Sequence, residues 1–92
     1  MIWKHSGVTY DIKKSSRRNK KLQATYLNKE TKNLNTIHFG QAGSQSYKDC
    51  SGLLPKSLIH SDKQRRENYR SRHRNDILDR PSSGNLAWNC LW

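Results

Sequence analysis

The segment KKLQATYLNKETKNLNTIHFG, from Lys20 to Gly40, carries the clearest structural signal in the chain. Leu22, Ala24 and Tyr26 alternate with polar residues, and Ile37 and Phe39 resume the same period of two before Gly40. Such alternation marks strands with one buried face, and the polar, turn-forming run from Asn28 to Asn33 joins them into a hairpin. Towards the N-terminus Val8, Tyr10 and Ile12 alternate in the same way and predict a further strand. Together the strands make a three-stranded antiparallel meander, the smallest sheet expected to persist when one face is covered.

Between the first strand and the hairpin, residues 13–21 contain Lys13, Lys14, Arg17, Arg18, Lys20 and Lys21 separated by Ser15, Ser16 and Asn19. Their composition predicts a solvated connector that cannot pack into a core and is suited to phosphate or acidic-surface contact. Beyond the hairpin, residues 40–57 hold Gly40, Gly43, Gly52 and Pro55 among serines, which predicts an extended loop able to drape over a neighbour.

A helix is signalled next. Ser61 stands at the N-cap with Gln64 in the capping-box position and Asp62 in the first turn, and the helix is expected to reach about Asn75. Pro81 stops it, because Arg80 before the proline is pushed out of the helical region. Lys63, Arg66, Arg70 and Arg74 fall three and four apart and form one basic stripe, beside a weakly apolar stripe of Tyr69, His73 and Ile77. Ser82 or Ser83 can cap a last short helix with Ala87, Trp88, Leu91 and Trp92 on one face. The two tryptophans either close this domain's own core or anchor in another subunit. The fold class is therefore α+β: a small antiparallel meander, an extended loop, a basic helix and a short C-terminal helix. All belong to a single domain over residues 1–92, divided into β structure at 1–40, loop at 41–60 and helices at 61–92.

Composition narrows the function. The 92 residues include 18 Lys and Arg against 7 Asp and Glu, a formal net charge of +11 that calls for an anionic counterpart. Hydrophobic residues make up 32% and the mean hydropathy is -1.12, so little apolar area is available to offset chain entropy. Alone, the chain is expected to be poorly ordered and to gain structure from a partner. No apolar run approaches the roughly 18 to 20 residues of a membrane span, and the N-terminus lacks a signal-peptide core, so a soluble protein made inside the cell is expected. Cys50 and Cys90 can form one disulfide, although an intracellular basic protein more often keeps such thiols reduced.

Chemistry-bearing patterns are scarce. His5, His38, His60, His73, Cys50 and Cys90 include no pair spaced two to four residues apart, as structural zinc sites require, so neither metal nor cofactor is expected. No serine sits in a Gly-x-Ser-x-Gly turn, and Gly40 and Gly43 are not followed by the Lys-Ser/Thr of a phosphate loop. Asp76 and Asp79 are the only close carboxylates and they face Arg80. An enzyme is not expected, and neither is a small-molecule substrate. Nucleic-acid binding is the competing function, since the clusters at 13–21 and 63–74 are interleaved with Tyr26 and Tyr69, yet no RNP motif, GxxG loop or zinc-finger spacing accompanies them.

One set of residues has a familiar order: His38, Phe39, Gly40 and Gly43, then Tyr47, then His60, Asp62, Arg66, Tyr69, Arg72 and His73, then Gly84, Leu86, Leu91 and Trp92. It resembles a family of small basic proteins of unknown function encoded by nucleocytoplasmic large DNA viruses. The resemblance covers roughly residues 20–92. The stretch between Tyr47 and His60 is longer than in the family, and Cys50 to Pro55 have no counterpart there. The family carries no established activity, so the resemblance implies a viral setting and not a mechanism. The expectation is a minor structural protein of the virion, cementing larger capsid proteins. Lys13, Lys14, Arg17, Arg18, Lys63, Arg66, Arg70 and Arg74 would meet acidic surfaces, the hairpin edge would accept a strand, and Trp88 and Trp92 would serve as aromatic anchors. The alternative is a nucleic-acid-binding protein in genome packaging or on the ribosome.

Overall fold

The computed structural model describes residues 1–74 and 81–92. Four strands form one antiparallel sheet in the order β1-β2-β3-β4: β1 (Ile2–His5), β2 (Val8–Lys14), β3 (Lys20–Asn28) and β4 (Asn33–Gln41). After the sheet come a short 3-10 turn (Lys56–Leu58), α1 (Lys63–Arg72) and α2 (Ser83–Leu91). The architecture is α+β with a β-meander, as expected, and one strand longer than expected.

The additional strand is β1. Ile2 is 62% exposed while Trp3 packs against the core, so two adjacent apolar residues fall on opposite faces and the strand hides from a hydrophobic-period reading. Its connection to β2 is a two-residue turn with both central residues at positive φ, Ser6 at 50° and Gly7 at 77°. That turn matches the right-handed twist of paired strands and favours Gly at its second position.

Along the sheet, Leu22 pairs with Phe39 and Ala24 with both Ile12 and Ile37, placing the alternating apolar residues on one face. Tyr10, Ile12, Leu22, Ala24 and Phe39 are buried there together with Leu86, Ala87, Cys90 and Leu91 of α2. The opposite face is wet. Ile2, Asp11, Thr25 and Thr36 form a row across it, with the Thr25 and Thr36 hydroxyls 2.9 Å apart. Gly40 admits α2 against β4: its φ is 78°, and a Cβ there would lie 2.8 Å from Leu91 Cδ1. Full burial of a leucine is worth about 1.5–3 kcal/mol, so Leu86 and Leu91 make α2 a principal cover of the sheet.

The basic stretch 13–21 stays largely solvated, as its composition predicts, but its two ends extend the strands and Lys21 turns inward. Lys13 and Lys14 end β2, Lys20 and Lys21 begin β3, and Lys14 pairs with Leu22. Lys21 is only 7% exposed, its Nζ donating to Ser46 Oγ at 2.6 Å. Pairing wins over composition because hairpin register fixes which residues extend the ladder.

The long loop also differs from expectation, since it folds back on its own domain. Ser46 pairs with Ile59, and the Lys48 and Cys50 amides donate to the carbonyls of Leu91 and Cys90 at 3.0 Å each. The Asp49 carboxylate accepts from the Ser51 and Leu54 amides, each at 2.9 Å, and closes the turn. Cys50 and Cys90 are not reduced thiols: they form a disulfide with an S–S distance of 2.08 Å. A small chain short of apolar area commonly uses such a staple.

Asp62, not Ser61, caps α1; its Oδ1 accepts from the Gln64 and Arg65 amides at 2.9 and 3.3 Å. Ser61 instead adopts a φ of 53°, while His60 Nδ1 accepts from the Asp62 amide at 2.8 Å. A carboxylate suits the positive end of the helix dipole better than a hydroxyl. α1 ends at Arg72, short of the expected Asn75, with His73 as its C-cap and the His73 amide donating to the Tyr69 carbonyl. The place of Ile77 in its apolar stripe and the grouping of Asp76 and Asp79 with Arg80 lie outside the described residues. Ser82 caps α2 as expected, accepting from the Asn85 amide at 3.1 Å.

Candidate functional site

None of the residues of α1 is buried, so side-chain stacking has to hold it. An unbroken series of rings from the loop, α1 and the C-terminal helix does this. The Arg66 guanidinium carbon lies 4.8 Å from the Tyr47 ring centroid, and Tyr47 neighbours His60 at 6.1 Å. His60 neighbours Trp92 at 5.2 Å, and Trp92 stacks on Tyr69 at 4.2 Å with ring planes 4° apart. Tyr69 stacks again on His73 at 4.2 Å and neighbours Trp88 at 6.4 Å, and Arg70 covers Trp88 at 5.1 Å. Aromatic pairs contribute about 0.5–1.5 kcal/mol each beyond area burial, and cation–π contacts a similar amount.

This geometry gives the familiar residue set its physical sense. Tyr47, His60, Arg66, Tyr69, His73 and Trp92 are the ring series itself, and Asp62 is the helix cap. Leu86 and Leu91 are core, and Gly40 is the point where Leu91 reaches the sheet. Most of the pattern therefore joins α1, α2 and the loop.

The expected basic stripe divides in two. Lys63 and Arg74 are exposed, whereas Arg66 and Arg70 lie over rings and their Nε atoms are buried with no hydrogen-bond partner. Arg70 also donates through Nη2 to the Trp92 main-chain oxygen at 3.3 Å. Lys48 is held below the usual lysine range, first by burial and then by repulsion from Arg66 and Arg70. His60 is likewise pushed below the ordinary imidazole range, mainly by burial and then by Arg65, with Asp62 opposing.

The tryptophans part company too. The buried face of α2 is Leu86, Ala87, Cys90 and Leu91, one residue out of step with the expected Ala87, Trp88, Leu91 and Trp92. Trp92 packs against the core margin, but Trp88 lies to one side beneath Arg70. The reason is the disulfide, which turns Cys90 inward and with it the positions four residues apart from it.

The first basic cluster stays at the surface. Lys13, Lys14, Arg17 and Arg18 are exposed, and the turn that bears them is tied to the end of β4 by the Ala42 amide donating to the Asn19 carbonyl at 3.1 Å. At that end of the sheet opens a cleft of about 1540 Å³ between the β3 and β4 ends, the loop, α1 and α2. Lys20, Lys21, Arg65 and Arg72 line it, with no Asp or Glu among its described lining residues. Arg65 and Arg72 escaped the stripe pattern, although their seven-residue separation does place them on one helical face with Tyr69 between. Nothing in the strand pattern could have shown that Lys20 and Lys21 meet that face across the loop.

Among the described residues, no three His, Cys, Asp or Glu side chains gather as metal ligands would, and no helix is long and apolar enough to cross a membrane. Comparison with protein-family models, with curated proteins and with solved structures finds no match.

Proposed function

We propose that the chain is a non-catalytic, minor structural protein of a large DNA virus particle, cementing larger capsid proteins within the virion through its cationic surface. The observation that carries this reading is unpaired positive charge. Against 18 Lys and Arg, the ion pairs among the described residues are those of the Met1 amino group and Lys13, both with Asp11, at 3.3 and 3.7 Å. Concentrating like charge with so few ion pairs among the described residues opposes folding and favours an anionic partner. The viral setting rests on the resemblance over roughly residues 20–92.

Protein neighbours are favoured over nucleic acid because binding of single strands uses open aromatic faces for base stacking. Here Tyr69 is stacked on both Trp92 and His73, and arginines cover Tyr47 and Trp88. The test is zero-length amine-to-carboxylate cross-linking of intact particles, followed by peptide mass spectrometry. The expected links join Lys13, Lys14, Lys48 or Lys63 to Asp and Glu of larger capsid proteins. Absence of the chain from purified particles, or ultraviolet cross-links to nucleic acid alone, would overturn the reading.

A further inference from the structure

The cleft between the sheet end and the two helices is walled by positive charge from two separate segments, β3 and α1. Lys20 comes from β3 and Arg72 from the end of α1, and among the described residues neither has an ion pair or a side-chain hydrogen bond. Arg65 reaches across from α1 and is steadied by Nη1 donating to Gln45 Oε1 at 2.8 Å. Its planar fork keeps further donors free for a bidentate acceptor. Lys21 lies deepest, its ammonium bonded to Ser46 Oγ at 2.6 Å with two further N–H donors available. A buried ammonium is costly without compensating acceptors. Burial lowers the Lys21 pKa, and attraction from Asp49 offsets this only in part.

We propose that this cleft binds an extended, acidic peptide segment of a neighbouring protein, whose carboxylates meet Lys20, Lys21, Arg65 and Arg72. The proposal rests on the reading of the chain as a protein-cementing component and names the chemistry of one contact. Charge complementarity selects an anion, since the described lining residues include no carboxylate. The rings select peptide over nucleic acid: Tyr69 and Trp92, the large aromatics of the cleft, are stacked on each other at 4.2 Å and offer no open pair of faces to bases. An extended peptide needs only cations and side-chain amides along the wall, and Gln41 and Asn68 stand there with the four cations.

The test uses the full oxidised chain and fluorescence anisotropy with three labelled probes: a peptide alternating Glu and Ser, its Gln and Ser counterpart, and an oligothymidylate. The acidic peptide should bind more tightly than both others. The pair Lys20→Glu with Arg72→Glu should weaken it roughly tenfold or more, because two attractions become repulsions. Lys4→Glu with Lys29→Glu removes the same charge outside the cleft and should weaken it much less. Circular dichroism checks that each variant is folded, and Lys20→Gln with Arg72→Gln replaces the reversal pair if that pair unfolds, with the same order of effects expected. Equal weakening by both pairs would overturn the cleft while leaving the general cationic reading intact. Tighter binding of the oligothymidylate, or no binding of the acidic peptide, would overturn both.

Discussion

Reducing the Cys50–Cys90 bridge is expected to remove a large share of this protein's stability. The bridge joins residues 40 positions apart, and cross-linking a ring of that size lowers the entropy of the unfolded chain by about 13 cal/mol/K, which is about 4 kcal/mol at 25 °C. A domain of this length has a total stability of roughly 5–14 kcal/mol. The loss should lower Tm by about 15–30 °C. In the folded state the bridge also aligns the Cys50 and Lys48 amides with the carbonyls of Cys90 and Leu91, so those bonds should loosen with it. The assay is urea unfolding of the isolated chain, followed by tryptophan fluorescence with and without reductant, alongside the same pair of curves for Cys50→Ser. Cys50 is half-buried, whereas Cys90 is fully buried, so replacing Cys50 avoids placing a hydroxyl in the core. Reductant should shift the native curve to that of Cys50→Ser and leave the variant unmoved. Coincident native curves with and without reductant, or two free thiols in the purified chain, would refute the reasoning.

Gly40→Ala should destabilise the chain by about 1–3 kcal/mol in urea unfolding, since the new methyl would crowd Leu91 at 2.8 Å and the φ of 78° disfavours an L side chain. Tyr69→Ala should cost about 2–3 kcal/mol, and hydrogen exchange should show the loss concentrated in α1, whose attachment depends on the Tyr69 stacks with Trp92 and His73. Stability should fall as pH drops below about 6.5, the unfolded-state value for histidine. The folded-state pKa of His60 is depressed, so its contribution is present above that pH and lost as the folded form is forced to protonate. Protonation at Nδ1 would also break the bond from the Asp62 amide, and Tm measured against pH should be flatter over that window in His60→Asn.

The hairpin, the meander and the C-terminal helix were legible because each follows from local rules. Strand alternation at Leu22, Ala24, Tyr26, Ile37 and Phe39 needs no knowledge of what covers it. The same locality explains the failures. In β1 the large apolar residue at position 2 faces outward and Trp3 inward, so periodicity was silent and only the Ser-Gly turn marked the strand. Asp62 and Ser61 are both good N-caps, and choosing between them required the position of His60.

By itself the sequence determined that this is a strongly cationic, apolar-poor chain with a small sheet and two helices, because charge, composition and period are properties of neighbours along the chain. Tertiary structure decided what those charges do. It drew Lys21 into the interior, laid Arg66 and Arg70 over Tyr47 and Trp88, and brought Arg65 and Arg72 to one cleft with Lys20. It also bridged Cys50 to Cys90 across 40 positions, which set the buried face of α2 and left Trp88 outside it. Each of these depends on contacts between segments distant in sequence, where burial and stacking are shared among several chain positions and no local pattern records them.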